Sequence, residues 1–156
     1  MRALNDLKEQ QVVEDYAVTG AMALVFWTEA VPTFDLDVLV ALRATGRPLT
    51  DLGPIYHWAR ESGYRLEAEH VLIEDVPVQF LPVYNDLAEE AVRTAAALDY
   101  KGVSIRVVRP EYLIALALDP PAKTRKRSER AATLAESAAI DQGLLQDVMK
   151  RYNLSW

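Results

Sequence analysis

The sequence predicts an α+β domain, a mixed β-sheet flanked by helices with a helical C-terminal part, on three observations. The spacing of apolar residues switches repeatedly between a strand-like and a helix-like period over residues 1–118, then stays helical from 119 to 156. The 156 residues, 51% hydrophobic and 26% charged, suffice for one compact domain with a proper core. No internal repeat or low-complexity tract interrupts the pattern. The expected organisation is therefore an α/β core over 1–118, with the helices of 119–156 packed on the same domain.

Each element follows from local chemistry. Residues 3–14 are polar with spaced Leu and Val, the mark of an amphipathic helix, and "YAVTG" reads as a short strand ending at Gly20. "AMALVFWTEA" follows as a helix, and Thr33 to Leu42 as a strand. After the loop "RATGRPLTDLG", the helix "PIYHWARESG" is opened by Pro54 and closed by Gly63. "YRLEAEHVLIED" and "VPVQFLPVY" are strand-like runs meeting at a turn near Glu74 and Asp75. "DLAEEAVRTAAAL" reads as a helix, "VSIRVV" as a strand, and Pro110 opens the helix "EYLIALALD". "DPPAK" breaks it, and "KTRKRSERAATLAESAAI" and "QGLLQDVMKRY" form two further helices.

Composition narrows the function classes. With no cysteine there is no disulfide framework and no thiolate chemistry, and structural zinc would depend on His57 and His70 plus carboxylates. The N-terminal stretch carries acidic residues where a signal peptide needs an apolar run, and no stretch approaches a membrane span. A soluble, cytoplasmic protein without a membrane partner is expected. A net charge of −6 disfavours broad nucleic-acid binding. The octet "KTRKRSER", 123–130, is the exception: it carries +4, and the rest of the chain carries −10.

Two features carry chemistry. In "TFDLDVLV", Asp35 and Asp37 stand two residues apart, so a strand puts both carboxylates on one face, where they repel unless a cation lies between them. The three apolar residues that follow suit a covered strand better than a solvated one. Just upstream, a strand ends and a helix starts at Gly20. Backbone N–H groups at such a glycine-led start receive phosphate, and paired carboxylates nearby hold Mg²⁺ on the same phosphates. Together they describe a nucleoside triphosphate site. On the basic octet, Arg127 and Lys123 continue the apolar stripe back from Leu134 and Ala131, so both are expected to face the domain. Lys126 and Arg130 are left freer to be solvated or to touch a polynucleotide. Tyr84 is expected to close the core, and His57 and His70 show no partner at ligand spacing.

"VTGAMAL" followed by "TFDLDVLV" resembles the signature of the nucleotidyltransferase fold shared with DNA polymerase β. "VPVQFLPVYNDLAEEAV" and "GVSIRVVRPEYLIALAL" are similar to the AbiEii/AbiGii-toxin-like and minimal nucleotidyltransferases of toxin–antitoxin pairs. The resemblance covers about residues 16–135. It implies that Asp35 and Asp37 are the catalytic metal ligands for Mg²⁺ or Mn²⁺. It further implies that Gly20 and Ala21 contact the NTP, with Lys123 and Arg127 on the basic helix neutralising it. The implied reaction moves an NMP to a hydroxyl of a protein, an RNA or a small molecule, in a chain with a toxin–antitoxin partner protein. Two positions depart from the family: Ala21 replaces Ser or Gly, and Gln79 stands where a third acid is usual. A neutral amide binds Mg²⁺ weakly and is no base. Gln79 therefore keeps an alternative open, a catalytically weak nucleotidyltransferase-fold module acting by binding a protein partner.

Overall fold

The computed structural model describes residues 1–28, 34–43, 48, 51–120, 123–137 and 139–156. Helix α1 (Arg2–Glu9) buries Ala3, Leu4 and Leu7 on one face. It ends earlier than the predicted 3–14 because Gln11 takes a positive φ of 58° and the N–H groups of Val12 and Val13 turn back onto the Leu7 carbonyl. Strand β1 (Asp15–Thr19) runs directly into α2 (Gly20–Leu24). This helix is much shorter than the predicted 21–30; turns carry the chain on to Thr28, and Glu29 to Thr33 lie outside the described residues.

Strand β2 (Leu36–Ala41) and α3 (Gly53–Glu61) fall where the sequence places them, with Pro54 in the first turn of α3. The run 64–75 is a hairpin, β3 (Arg65–Glu67) and β4 (His70–Ile73), turning at Ala68 with φ 53°. No Gly, Pro or Asn announces that turn in "LEAEH", which is why it reads as one strand. The predicted turn at Glu74 and Asp75 is present, both residues at positive φ, and leads into β5 (Val76–Pro82).

Helix α4 (Asp86–Arg93) is capped by the Asn85 side chain, which accepts the Ala88 N–H at 2.9 Å. It is shorter than the predicted 86–98. The alanines beyond it form β6 (Ala96–Tyr100), paired antiparallel with β7 (Val103–Val107). Helix propensity in "TAAAL" yields here to a hairpin closed at Lys101 and Gly102, both at positive φ. Three helices follow: α5 (Pro110–Leu118), α6 (Arg125–Ser137) and α7 (Gln142–Arg151).

The strands make one sheet in the order β3-β4-β5-β2-β1-β7-β6. β2 lies at its centre, antiparallel to β1 and parallel to β5. Its register sets Asp37 opposite Thr19 on one side and opposite Gln79 on the other, so the three side chains share one face. The neighbouring rows are apolar, with Val18, Val38 and Phe80 buried in the core.

Helix α6 packs along α5 through Ala131 and Leu134, and α7 adds Leu145 and Val148 to the same core. The buried Glu111 carboxylate ties these helices together. Its Oε1 accepts the Asp141 N–H at 2.8 Å, and Oε2 lies 3.7 Å from Arg109 Nε. Because Leu134 holds α6 to the body, Leu134→Ala should cost about 2–5 kcal/mol in urea unfolding. A loss below about 0.5 kcal/mol would show that α6 is not docked in solution.

Candidate functional site

The end of β1, the start of β2 and the middle of β5 meet under α5 and α6 in a cleft of about 320 Å³. Gly20 and Ala21 form one side of it. Asp35, Asp37 and Gln79 make the floor, and Arg127 and Arg130 reach it from α6. Leu113, Leu116 and Leu134 supply an apolar roof. A roomier cavity of about 1130 Å³ lies beside Leu42, Pro54 and Trp58, and neither aspartate lines it.

Gly20 is required by its surroundings. Its φ of 67° is left-handed, and a Cβ placed there would collide with Oδ2 of Asp37. The turn and the carboxylate are thus in direct van der Waals contact, so a group held by one is within reach of the other.

Burial, and then the charge of Asp35, push the Asp37 carboxyl above its usual range; Arg127 and His70 pull it part of the way back. The repulsion read from the sequence is therefore present, and it falls on the less exposed partner. The Asp35 side chain is 56% exposed, and its Oδ2 lies 3.8 Å from His70 Nε2. Sequence spacing gave His70 no partner because its neighbour lies two strands away: β4 on β5, with Val71 opposite Val78, brings His70 alongside Gln79 and so towards β2.

The expected nucleotide-binding residues divide. Gly20, Ala21 and Arg127 line the cleft with the aspartates. Lys123 does not: its ammonium donates to the carbonyls of Ser155 and Trp156, at 2.8 and 3.0 Å. Arg130, assigned by its spacing to freer solvation, is half-buried in the cleft wall. The helical stripe that runs through Arg127, Ala131 and Leu134 includes position 130 as well, so the signal was available. Tyr84 does not close the core; its ring is 53% exposed. Burial, and then the charge of Asp119, raise the pKa of its hydroxyl, and Arg127 pulls it part of the way back.

No family model matches the chain, and no curated protein matches it. Solved structures do. The solution structure of the antibiotic-resistance factor ANT(2″)-Ia superposes with a TM-score of 0.52 at 14% identity, over 97% of this chain and 88% of that one. The fold is nucleotidyltransferase-like. A crystal structure of ANT(2″)-Ia in complex with adenylyl-2″-tobramycin gives the same score and identity over 97% and 94% of the two chains. An antigenic nucleotidyltransferase-like protein from Paracoccidioides brasiliensis reaches 0.53 at 14% identity, over 96% and 83%. Among the described residues no helix is long and apolar enough to cross a membrane.

Two outcomes follow. A raised folded-state pKa means that ionised Asp37 penalises the folded form above that pKa, and the penalty is absent below the unfolded value of about 4. Asp37→Asn should therefore raise Tm at about pH 7, with the gain fading on acidification towards about pH 4; a lowered Tm at neutral pH would show that the carboxylate is stabilising. Gly20→Ala should cost about 1–2 kcal/mol for the left-handed backbone alone. The cost should shrink when combined with Asp37→Ala, which removes the collision, and strict additivity in that double-mutant cycle would deny the contact.

Proposed function

We propose that this chain is a metal-dependent nucleotidyltransferase that moves an NMP from an NTP to a hydroxyl acceptor. The observation that carries the reading is the contact between the Gly20 turn and the Asp37 carboxylate, within a cleft that also holds Asp35 and a basic helix. In this reading the Gly20–Ala21 turn receives the triphosphate, and Asp35 and Asp37 present the α-phosphate to the acceptor. Arg127, placed on the cleft beside Asp37, offsets the charge that develops there.

Among the described residues no group of three or more His, Cys, Asp or Glu side chains is gathered to hold an ion. Two carboxylates suit Mg²⁺ or Mn²⁺ nonetheless, because Mg²⁺ takes most of its ligands from water and substrate phosphates. Gly20 puts no side chain against the Asp37 carboxylate, so an ion carried by the phosphates would reach its oxygens from the cleft beside the turn. When bound, the ion would polarise the phosphoryl oxygens. Gln79, on the same row as Asp37, offers an amide oxygen as a weaker third ligand. The metal is thus expected to enter with the nucleotide and to bind weakly alone.

The adenylyl-2″-tobramycin complex of a structural neighbour supports a small-molecule acceptor. Residues 76–118 support the finer resemblance to AbiEii-like proteins, which brings a toxin–antitoxin partner and protein or RNA acceptors with it. Gln79 specifically favours a second reading, a weakly catalytic module that acts by binding a protein partner.

Thermal melts and a transfer assay with α-labelled NTP test these readings. Mg²⁺ or Mn²⁺ together with NTP should raise the wild-type Tm, by about 2.7 kcal/mol of stabilisation at a hundredfold excess over Kd. Asp35→Asn with Asp37→Asn should abolish the metal-dependent part, and Gln79→Asp should increase it. A melt indifferent to metal and nucleotide in both wild type and Gln79→Asp would leave the aspartates structural. Metal-dependent NTP binding without label transfer to any acceptor would favour the binding module.

A further inference from the structure

We infer that strand β6, at one end of the sheet, is where a second copy of this chain docks, its own β6 pairing antiparallel with that of the first. The inference does not depend on the nucleotidyltransferase reading. β3 and β6 are the two edges of the sheet. An edge strand offers a row of unpaired N–H and C=O groups, and native chains guard such edges with shortness, charge, bulges or proline. β3 is guarded: it has three residues, and Arg65 and Glu67 are both exposed. β6, "AALDY", has five, with Asp99 as its one charged side chain, no proline and an unbroken register against β7.

The hairpin decides which groups are free. Its turn consists of Lys101 and Gly102, at φ 50° and 82°, so Tyr100 and Val103 close the ladder as a hydrogen-bonded pair. Alternation along the ladder then gives Leu98 and Ala96 to β7, and it turns the N–H and C=O groups of Ala97 and Asp99 outward. Among the described residues no backbone hydrogen bond reaches those outward groups. Apolar side chains lie beside them. Leu98 is half-buried, and Tyr100, set edge to face against Phe26 with ring centroids 5.9 Å apart, is 37% exposed.

Register makes a second copy the fitting occupant. With a twofold axis at Leu98, Ala97 of each copy pairs with Asp99 of the other, and each pair exchanges both of its outward hydrogen bonds. Leu98 meets Leu98 across the axis, and Ala96 meets Tyr100, so apolar side chains left open in the single chain become covered. Each Asp99 carboxylate then faces the methyl group of Ala97, whereas pairing centred on Asp99 would set carboxylate against carboxylate. The alanines admit close approach, which accounts for residues of low strand propensity in this strand. β7 and β1 stand between the junction and β2, so the Asp37 cleft of each copy stays clear of it. Five residues of edge make a small interface, and the dimer is therefore reversible. The net charge of −6 on each copy opposes association, so added salt strengthens it.

Sedimentation velocity of the full chain over a concentration series tests this, with circular dichroism following the fold of each variant. The wild type should pass from monomer to dimer as concentration rises, and at lower concentration when salt is added. Amide hydrogen exchange at Ala97 and Asp99 should slow with concentration, while that of Leu98, already bonded to β7, should change little. Ala97→Pro removes an outward N–H without touching the β7 ladder and should leave a monomer. Ala97→Lys and Ala97→Glu separate loss of pairing from loss of fold. Lysine meets Asp99 of the other copy and should tighten the dimer about twofold to tenfold, and glutamate should weaken it by a similar factor. A wild type monomeric at the highest concentration would overturn the inference and leave this edge to a strand of a different protein. A dimer that persists in Ala97→Pro, or that shifts the same way in both charge variants, would overturn it as well and put the interface elsewhere.

Discussion

The Asp37 carboxylate packed against the Cα of Gly20 is the contact on which the site depends. It fixes three things together: the residue at position 20, the sharp passage from β1 into α2, and the position of an acidic group beside that turn. It is possible because β2 is central and antiparallel to β1, with Asp37 opposite Thr19 in the last pair of the ladder. The hydrophobic rows on either side, with Val18, Val38 and Phe80 buried, hold that register. A slip by one residue would turn Asp37 into the core and Val38 into the cleft.

Charge is divided across the cleft. The floor carries two carboxylates, where burial and then the charge of Asp35 raise the Asp37 pKa, and the wall carries Arg127 and Arg130 on α6. Such an arrangement costs stability in the free protein and favours a ligand that brings both signs, as a metal nucleotide does. Gln79 lies in the same row without adding a third negative charge. That lowers the repulsion within the empty site, and it equally lowers its hold on a cation.

Much of this was legible in the sequence, and the exceptions have physical causes. The Asp-x-Asp strand, Gly20, the turn at Glu74 and Asp75 and the Pro-led starts of α3 and α5 all follow from local chemistry. The hairpin turn at Ala68 carries no turn-forming residue, and β6 is built from helix-favouring alanines; only pairing with β7 reveals it as a strand. In the site, helical spacing led to Arg127, which lines the cleft, but also to Lys123, which lies ahead of α6 and is drawn to the carbonyls of Ser155 and Trp156. His70 meets Asp35 only because β5 lies between β4 and β2, and strand order is not written in periodicity.

The most direct measurement is a crystal structure of the protein with Mn²⁺ and an NTP analogue whose α,β-bridge is methylene, read through the anomalous signal of the metal. A manganese peak between the carboxylates of Asp35 and Asp37, with the phosphate chain passing the Gly20 turn, is the result predicted. A nucleotide bound elsewhere, or a peak that ignores both aspartates, would contradict the assignment of this cleft as a nucleotidyl-transfer site.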